Sequence, residues 1–138
     1  MANRDGSNDK RLLAGLNPTA ISSNTTTNGN IIDTRGYDAV TFEIFATAYT
    51  DGTFTPLVRA GNAADGSDFA DVSDVELTRV ESAAALTAAR TNAVPGRLIG
   101  YVGGFRYVRC NIVSTSVTSG ATVGVNAILE NPANAPIA

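Results

Sequence analysis

The run YDAVTFEIFATAY, residues 37–49, alternates so strictly that it admits one reading. Val40, Phe42, Ile44, Ala46 and Ala48 fall on one side, and Thr41, Glu43, Phe45 and Thr47 on the other, the period of two of a half-buried strand. A strand of this length with one apolar side needs a second layer to cover it, so the rest of the chain has to supply that layer. The other apolar runs are short and separated by turn residues: TAISS, GNIID, TFTPLVRA, RLIGYVG, FRYVRCNIVST and TVGVNAILE. In FRYVRCNIV, alternation turns Val108, Cys110 and Ile112 inward and Tyr107, Arg109, Asn111 and Val113 outward. About seven or eight such strands with little helix predict an all-β fold, an antiparallel β-sandwich or jelly-roll-like single domain.

The turn residues suggest how the strands connect. Asp51-Gly52 between two β-rich runs predicts a hairpin, with TFTPLVRA returning antiparallel beside residues 37–49. Pro56 lacks a ladder donor, which places that strand at an edge or beside a bulge. Residues 61–76 read as loop. Residues 81–93 have helical propensity but no periodic apolar face, so they read mainly as a long connection. Gly103-Gly104 marks a tight turn or bulge and TSGA, residues 118–121, a hairpin loop. The expected organisation is an N-terminal arm over residues 1–16, a sandwich over 17–131 and a Pro-containing tail over 132–138.

Composition bears on chemistry. A chain of 138 residues, 43% hydrophobic and 17% charged, suits one domain with a packed core. Its net charge of -3 and the lack of a basic stripe argue against nucleic acid as a direct partner. No apolar run approaches membrane-spanning length, so no membrane partner is expected. The opening MANRDGSNDKRLLAGL lacks the apolar core of a secretory signal, so synthesis in the cytoplasm is expected. The single cysteine, Cys110, cannot form an internal disulfide and reads as a small core residue.

With no histidine, every Ser-His, Cys-His and His-metal arrangement is missing. Acid-base chemistry would fall to paired carboxylates, and Asp33, Asp38, Glu43 and Asp51 sit at strand ends, on a polar face or in a turn. Asp65, Asp68, Asp71 and Asp74 recur every third residue, which does not match the alternate ligands of an EF-hand loop. GYVGG contains neither phosphate-binding glycine motif. The expectation is a non-enzymatic protein with no catalytic, cofactor or metal site. Nine of the ten basic residues are arginine, the cation better suited to protein interfaces. Outward Phe45, Tyr49, Tyr107 and Arg106 leave two readings open: a stacking platform for sugars, or residues that pack under a loop or another subunit.

Two stretches, IIDTRGYDAVTFEIFATAYTDGTFTPLVRAG and IGYVGGFRYVRCNIVSTSVTSGATVGVNAILENP, resemble a family of small proteins encoded among the head genes of tailed bacteriophages. The shared pattern is carried by Asp33, Arg35, Gly36, Tyr37 and Asp38, by Thr50 to Pro56 except Phe54, by Gly100 to Gly103 with Arg106 to Arg109, and by Thr118 to Gly120. The resemblance implies a capsid cement or decoration protein on the outer surface of the virion head, with the major capsid protein and its own copies, as a homotrimer, for partners. A head-tail joining or tail component and a host-binding adhesion module are the alternatives. The candidate contact residues are Arg4, Lys10, Arg11, Leu12, Leu13 and Leu16 in the arm, and Arg106, Tyr107 and Arg109 on the strand that follows Gly104. The arm is expected to order against a neighbouring subunit.

Overall fold

The computed structural model describes residues 9–91 and 95–133. Among them are nine strands: β1 (Arg11–Ile21), β2 (Thr26–Thr27), β3 (Ile32–Asp33), β4 (Tyr37–Tyr49), β5 (Thr53–Gly61), β6 (Ala70–Asp71), β7 (Arg97–Tyr101), β8 (Tyr107–Thr115) and β9 (Ala121–Pro132). Neighbouring strands pair antiparallel, in two sheets. The first sheet has the order β1-β9-β4-β7, and the second β2-β8-β5-β6 with β3 also on β8. This is the expected antiparallel sandwich.

Its core is the meeting of alternate residues from both sheets. Phe42, Ile44, Ile99, Val123 and Ala127 from the first sheet meet Phe54, Val58, Val108, Cys110 and Ile112 from the second, all withdrawn from water. Burying a large apolar side chain contributes about 1.5–3 kcal/mol. Burial pushes the Cys110 thiol far above its ordinary range, consistent with a packing role.

The expected hairpin at Asp51-Gly52 does not form. β4 and β5 lie in different sheets, so the turn carries the chain across the sandwich, and residues 116–120 carry it back from β8 to β9. The apolar sides of β4 and β5 face each other across the core, which buries both; a turn motif fixes a chain reversal but not which sheet receives it. The two crossovers are joined by the Asp51 carboxylate, which accepts backbone N–H groups from Thr118, Ser119 and Gly120 at 2.9–3.1 Å. Those donors hold its carboxyl below the usual aspartate range, Thr118 first. Gly120 has φ of +85°, and a Cβ there would collide with the Ile21 carbonyl.

Two local irregularities change which side chains face inward. A bulge between Ala46 and Ala48 reverses the alternation of β4, so Ala48 is exposed, against expectation, while Tyr49 packs on the core. The arm is also shorter than expected: Arg11–Leu16 belongs to β1 and pairs with β9 of its own chain. Leu16 is buried and Leu13 packs on the core of the same chain. Residues 1–8 of the arm, including Arg4, and residues 134–138 of the tail lie outside the described residues.

The long connection between β5 and β7 forms no α-helix among its described residues. It has 3-10 turns at Asp74–Glu76 and Glu81–Ala84 and closes one side of the sandwich. The N–H groups of Phe54 and Val58 that point away from β8 donate to the Leu86 carbonyl at 3.1 Å and to Glu81 Oε1 at 2.8 Å. Pro56 lies between them on this strandless stretch of edge, where its missing donor costs nothing. The same connection covers β7: Thr78 N–H donates to the Gly100 carbonyl, and Val102 N–H to that of Glu76. On the opposite side, Asn30 donates to the Gly15 and Ala14 carbonyls of β1. Gly29 passes so close to β8 that a Cβ would strike the Cys110 carbonyl.

Asp51→Ala lowers the melting temperature at neutral pH. Because the folded pKa is depressed, the carboxylate's contribution is present above its unfolded pKa and lost as pH falls through the folded value; the gap between wild type and variant therefore closes below about pH 4 in melting curves. Gly29→Ala, which overpacks the seam between β1 and β8, costs about 1–3 kcal/mol in urea denaturation.

Candidate functional site

The outer face of the first sheet is built by register. One row across it reads Leu12, Ile128, Thr41 and Gly100, with Thr78 lying over the glycine. The next reads Ala14, Asn126, Glu43 and Leu98. Continued alternation puts Val102 on the same side as Leu98. Leu12 and Val102 are 65% and 60% exposed, and Leu98 is also open to solvent. Glu43 is the charge in the middle of these rows, and Arg90 at 3.1 Å and the Asn126 amide at 2.9 Å neutralise and hold it. The result is a face of aliphatic and hydroxyl side chains with its central charge compensated.

Below these rows, Phe45 lies against Gly124 on the same face and Arg90 covers its ring at 4.1 Å. Phe45 is therefore outward but buried, and Tyr49 points to the core side and donates to the Gly52 carbonyl. With Tyr107 and Arg106 on the other sheet, the four residues do not share a surface. The stacking platform for sugars is not assembled, and Phe45 packs under a loop residue as the other reading expected.

The second sheet carries a cluster of arginines. Arg106, Tyr107 and Arg109 come together at the start of β8, where Arg106 lies 4.8 Å from the Tyr107 ring and forks onto Asp33 through two 2.8 Å contacts. That fork draws the Asp33 carboxyl down to about 2. Arg109 stands opposite Arg59 of β5 and beside the ring of Phe69. Further along β8 the outer face is closed: Asn111 is buried, accepting the Gly29 N–H at 3.0 Å.

The four carboxylates considered as acid-base candidates lie apart. Asp33 pairs with Arg106, Glu43 with Arg90, and Asp51 ties the crossovers, while Asp38 is exposed at the start of β4. Asp65 and Asp68 accept N–H groups within their own loop, and Asp71 pairs with Arg59. Among the described residues, Glu81 is the carboxyl pushed upward, chiefly by burial and further by the nearby Asp74 and Asp71 charges, while the Val58 N–H it accepts works the other way. A hollow beside the crossovers is lined by Ala20, Ile21, Ser22, Ala48, Thr50 and Ser119 among others; a smaller one holds Tyr37, Asp38 and Tyr101.

No protein-family model matches this sequence, and no curated protein is significantly similar to it. Among solved structures, the chain resembles the SPBc2 prophage-derived protein YomS, with a TM-score of 0.52 and 17% identity over 89% of this chain and 94% of that one. PirA matches at a TM-score of 0.39 and 11% identity over 88% and 93%, too distant to support an argument. At such identities the likeness to YomS is one of fold.

The predicted contact residues divide into two groups. Lys10, Arg11 and Leu12 lie at the exposed start of β1, on the rim of the first sheet; Leu13 and Leu16 face the core. Arg106, Tyr107 and Arg109 form the second group. Sequence reasoning missed Arg59, Phe69, Ile128 and Leu98, whose roles depend on pairing between distant segments.

Asp33→Asn opens the Arg106 fork. Faster amide hydrogen exchange is expected at residues 32–35 and 105–107, including the Thr34 N–H that donates to the Arg106 carbonyl, while the middle of β8 stays protected. The depressed pKa means that wild type keeps this contact above the ordinary aspartate value, about 4, and loses it as pH falls towards 2.

Proposed function

We propose that this chain is a non-enzymatic structural protein of a phage virion, a cement protein that binds the outer surface of the head and links neighbouring capsomers. The observation that carries the reading is the outer face of the first sheet. Its Leu12, Ile128, Thr41 and Leu98 make a mainly aliphatic and hydroxyl surface in which Glu43 is compensated by Arg90, of the kind found at protein interfaces. A protein that binds assembled capsomers and not separated ones stabilises the shell by mass action, and it needs rigidity and contact area for this, not a reaction centre. The covered sheet edges and the carboxylates used in loop ties and ion pairs fit that demand. The shared fold with a prophage-derived protein supports a phage setting.

In this reading the partners are the major capsid protein and further copies of the chain, arranged as a homotrimer, since closed cyclic symmetry suits a threefold or quasi-threefold point of a shell. The first sheet's face meets the capsid, with Lys10 and Arg11 at its rim. The β8 group of Arg106, Tyr107 and Arg109 meets the neighbouring copy.

Leu98→Glu and Leu12→Glu test the docking face directly. Both positions are exposed, so each variant should stay within about 0.5 kcal/mol of wild type in stability, yet bind purified phage heads at least tenfold more weakly in co-sedimentation. Unchanged binding would remove this face from the interface. Protein gels of virions should show copies comparable to the major capsid protein; a single ring's worth would point to a head-tail joining component instead.

A further inference from the structure

The register of β5 and β8 sets Arg59 directly opposite Arg109 on the outer face of the second sheet. Like charges facing each other across neighbouring strands destabilise a sheet. The structure compensates the two unequally. Arg59 has Asp71, with Nε 2.9 Å from Oδ1, and its Nη2 donates to the Phe69 carbonyl at 2.9 Å. Arg109 has the Phe69 ring, 5.4 Å from its guanidinium carbon, and no carboxylate among the described residues. The Nε of each arginine is buried without a hydrogen-bond acceptor, that of Arg59 despite its ion-pair contact with Asp71. A buried donor left without an acceptor costs the chain its full desolvation.

Nearby Arg106 shows the contrast. Its fork is filled by Asp33 on both arms. The Arg59–Arg109 pair thus leaves one cation uncompensated, against an aromatic wall and beside a second cation that raises the local potential. We propose that Arg109 is a receiving site for the carboxylate of an aspartate or glutamate on another protein chain. A planar guanidinium is shaped for such a group, and the ring of Phe69 holds the plane in place. A chain with a net charge of -3 repels an extended polyanion, whereas one carboxylate on a complementary surface brings little field with it. The reading of the protein as a cement component bears only on which chain supplies that carboxylate, and makes it a neighbouring copy.

The site is tested on the free protein by following arginine Nε–H resonances during titration with sodium acetate at constant ionic strength. The Arg109 signal should shift and saturate while the Arg106 signal, already held by Asp33, stays within noise. A shift at Arg109 no larger than at Arg106 would overturn the proposal. Tighter saturation of Arg109 by a short oligothymidylate than by acetate would overturn its assignment to protein carboxylates. Arg109→Met should melt no lower than wild type, since it removes a like-charge pair and an orphan donor; a marked fall would show a structural role and sink the idea. Sedimentation velocity and co-sedimentation with phage heads then compare Arg109→Met with wild type. At least a tenfold weakening of self-association is expected and supports a neighbouring copy as the source; a loss on heads with self-association unchanged would overturn that source. Loss in neither would refute the site even if acetate binds, whereas failure of wild type itself to bind heads would count against the cement reading alone.

Discussion

Each long strand of this protein has one apolar side, and the only place for those sides to go is against one another. Phe42, Ile44 and Ile99 from one sheet and Phe54, Val58 and Ile112 from the other form a single dry layer, and the rest of the architecture follows from making it. The chain must cross between the sheets to build both walls, so the crossovers carry as much of the fold as the strands. Asp51 fastens the two crossovers at one end with three backbone donors, and the β5–β7 connection closes the side where β5 and β7 would otherwise present open edges.

What could be read from the sequence was whatever repeats locally. The alternation of Val40 to Ala46 and of Val108 to Ile112 named the inward residues of β4 and β8 without reference to their partners. β1 escaped because its pattern is broken: Gly15, Pro18 and two register shifts leave Leu13 and Leu16 three apart, a spacing that strand logic does not recognise. Asp51-Gly52 and Thr118 to Gly120 were visible as reversals, but a reversal within a sheet and a crossing between sheets use the same residues. The arginines of β8 were legible as outward groups. That Arg109 faces Arg59 depends on a register between segments separated by the long connection, and that Phe69 walls it depends on a loop without periodicity.

The two outer faces differ in chemistry because their strands differ in what they can compensate. On the first, Arg90 reaches over Phe45 to Glu43 and compensates the charge among the aliphatic rows. On the second, Arg59, Arg106 and Arg109 share one region, and among the described residues only Arg59 and Arg106 pair with carboxylates. One molecule therefore presents a mainly aliphatic surface and a charged, direction-dependent one on opposite sides.

β9 lies between β1 and β4 and joins them within the first sheet. It follows both of these neighbours in the chain, so β5 and β8 of the second sheet can pair before it is made, whereas β1 waits for a partner until the strands between have been made and Arg11 can meet Leu129. The first sheet is thus a long-range assembly of the slow kind that topology imposes. Loss of residues 121–132 would remove not a strand but a wall, since β1 and β4 would have nothing to bridge them.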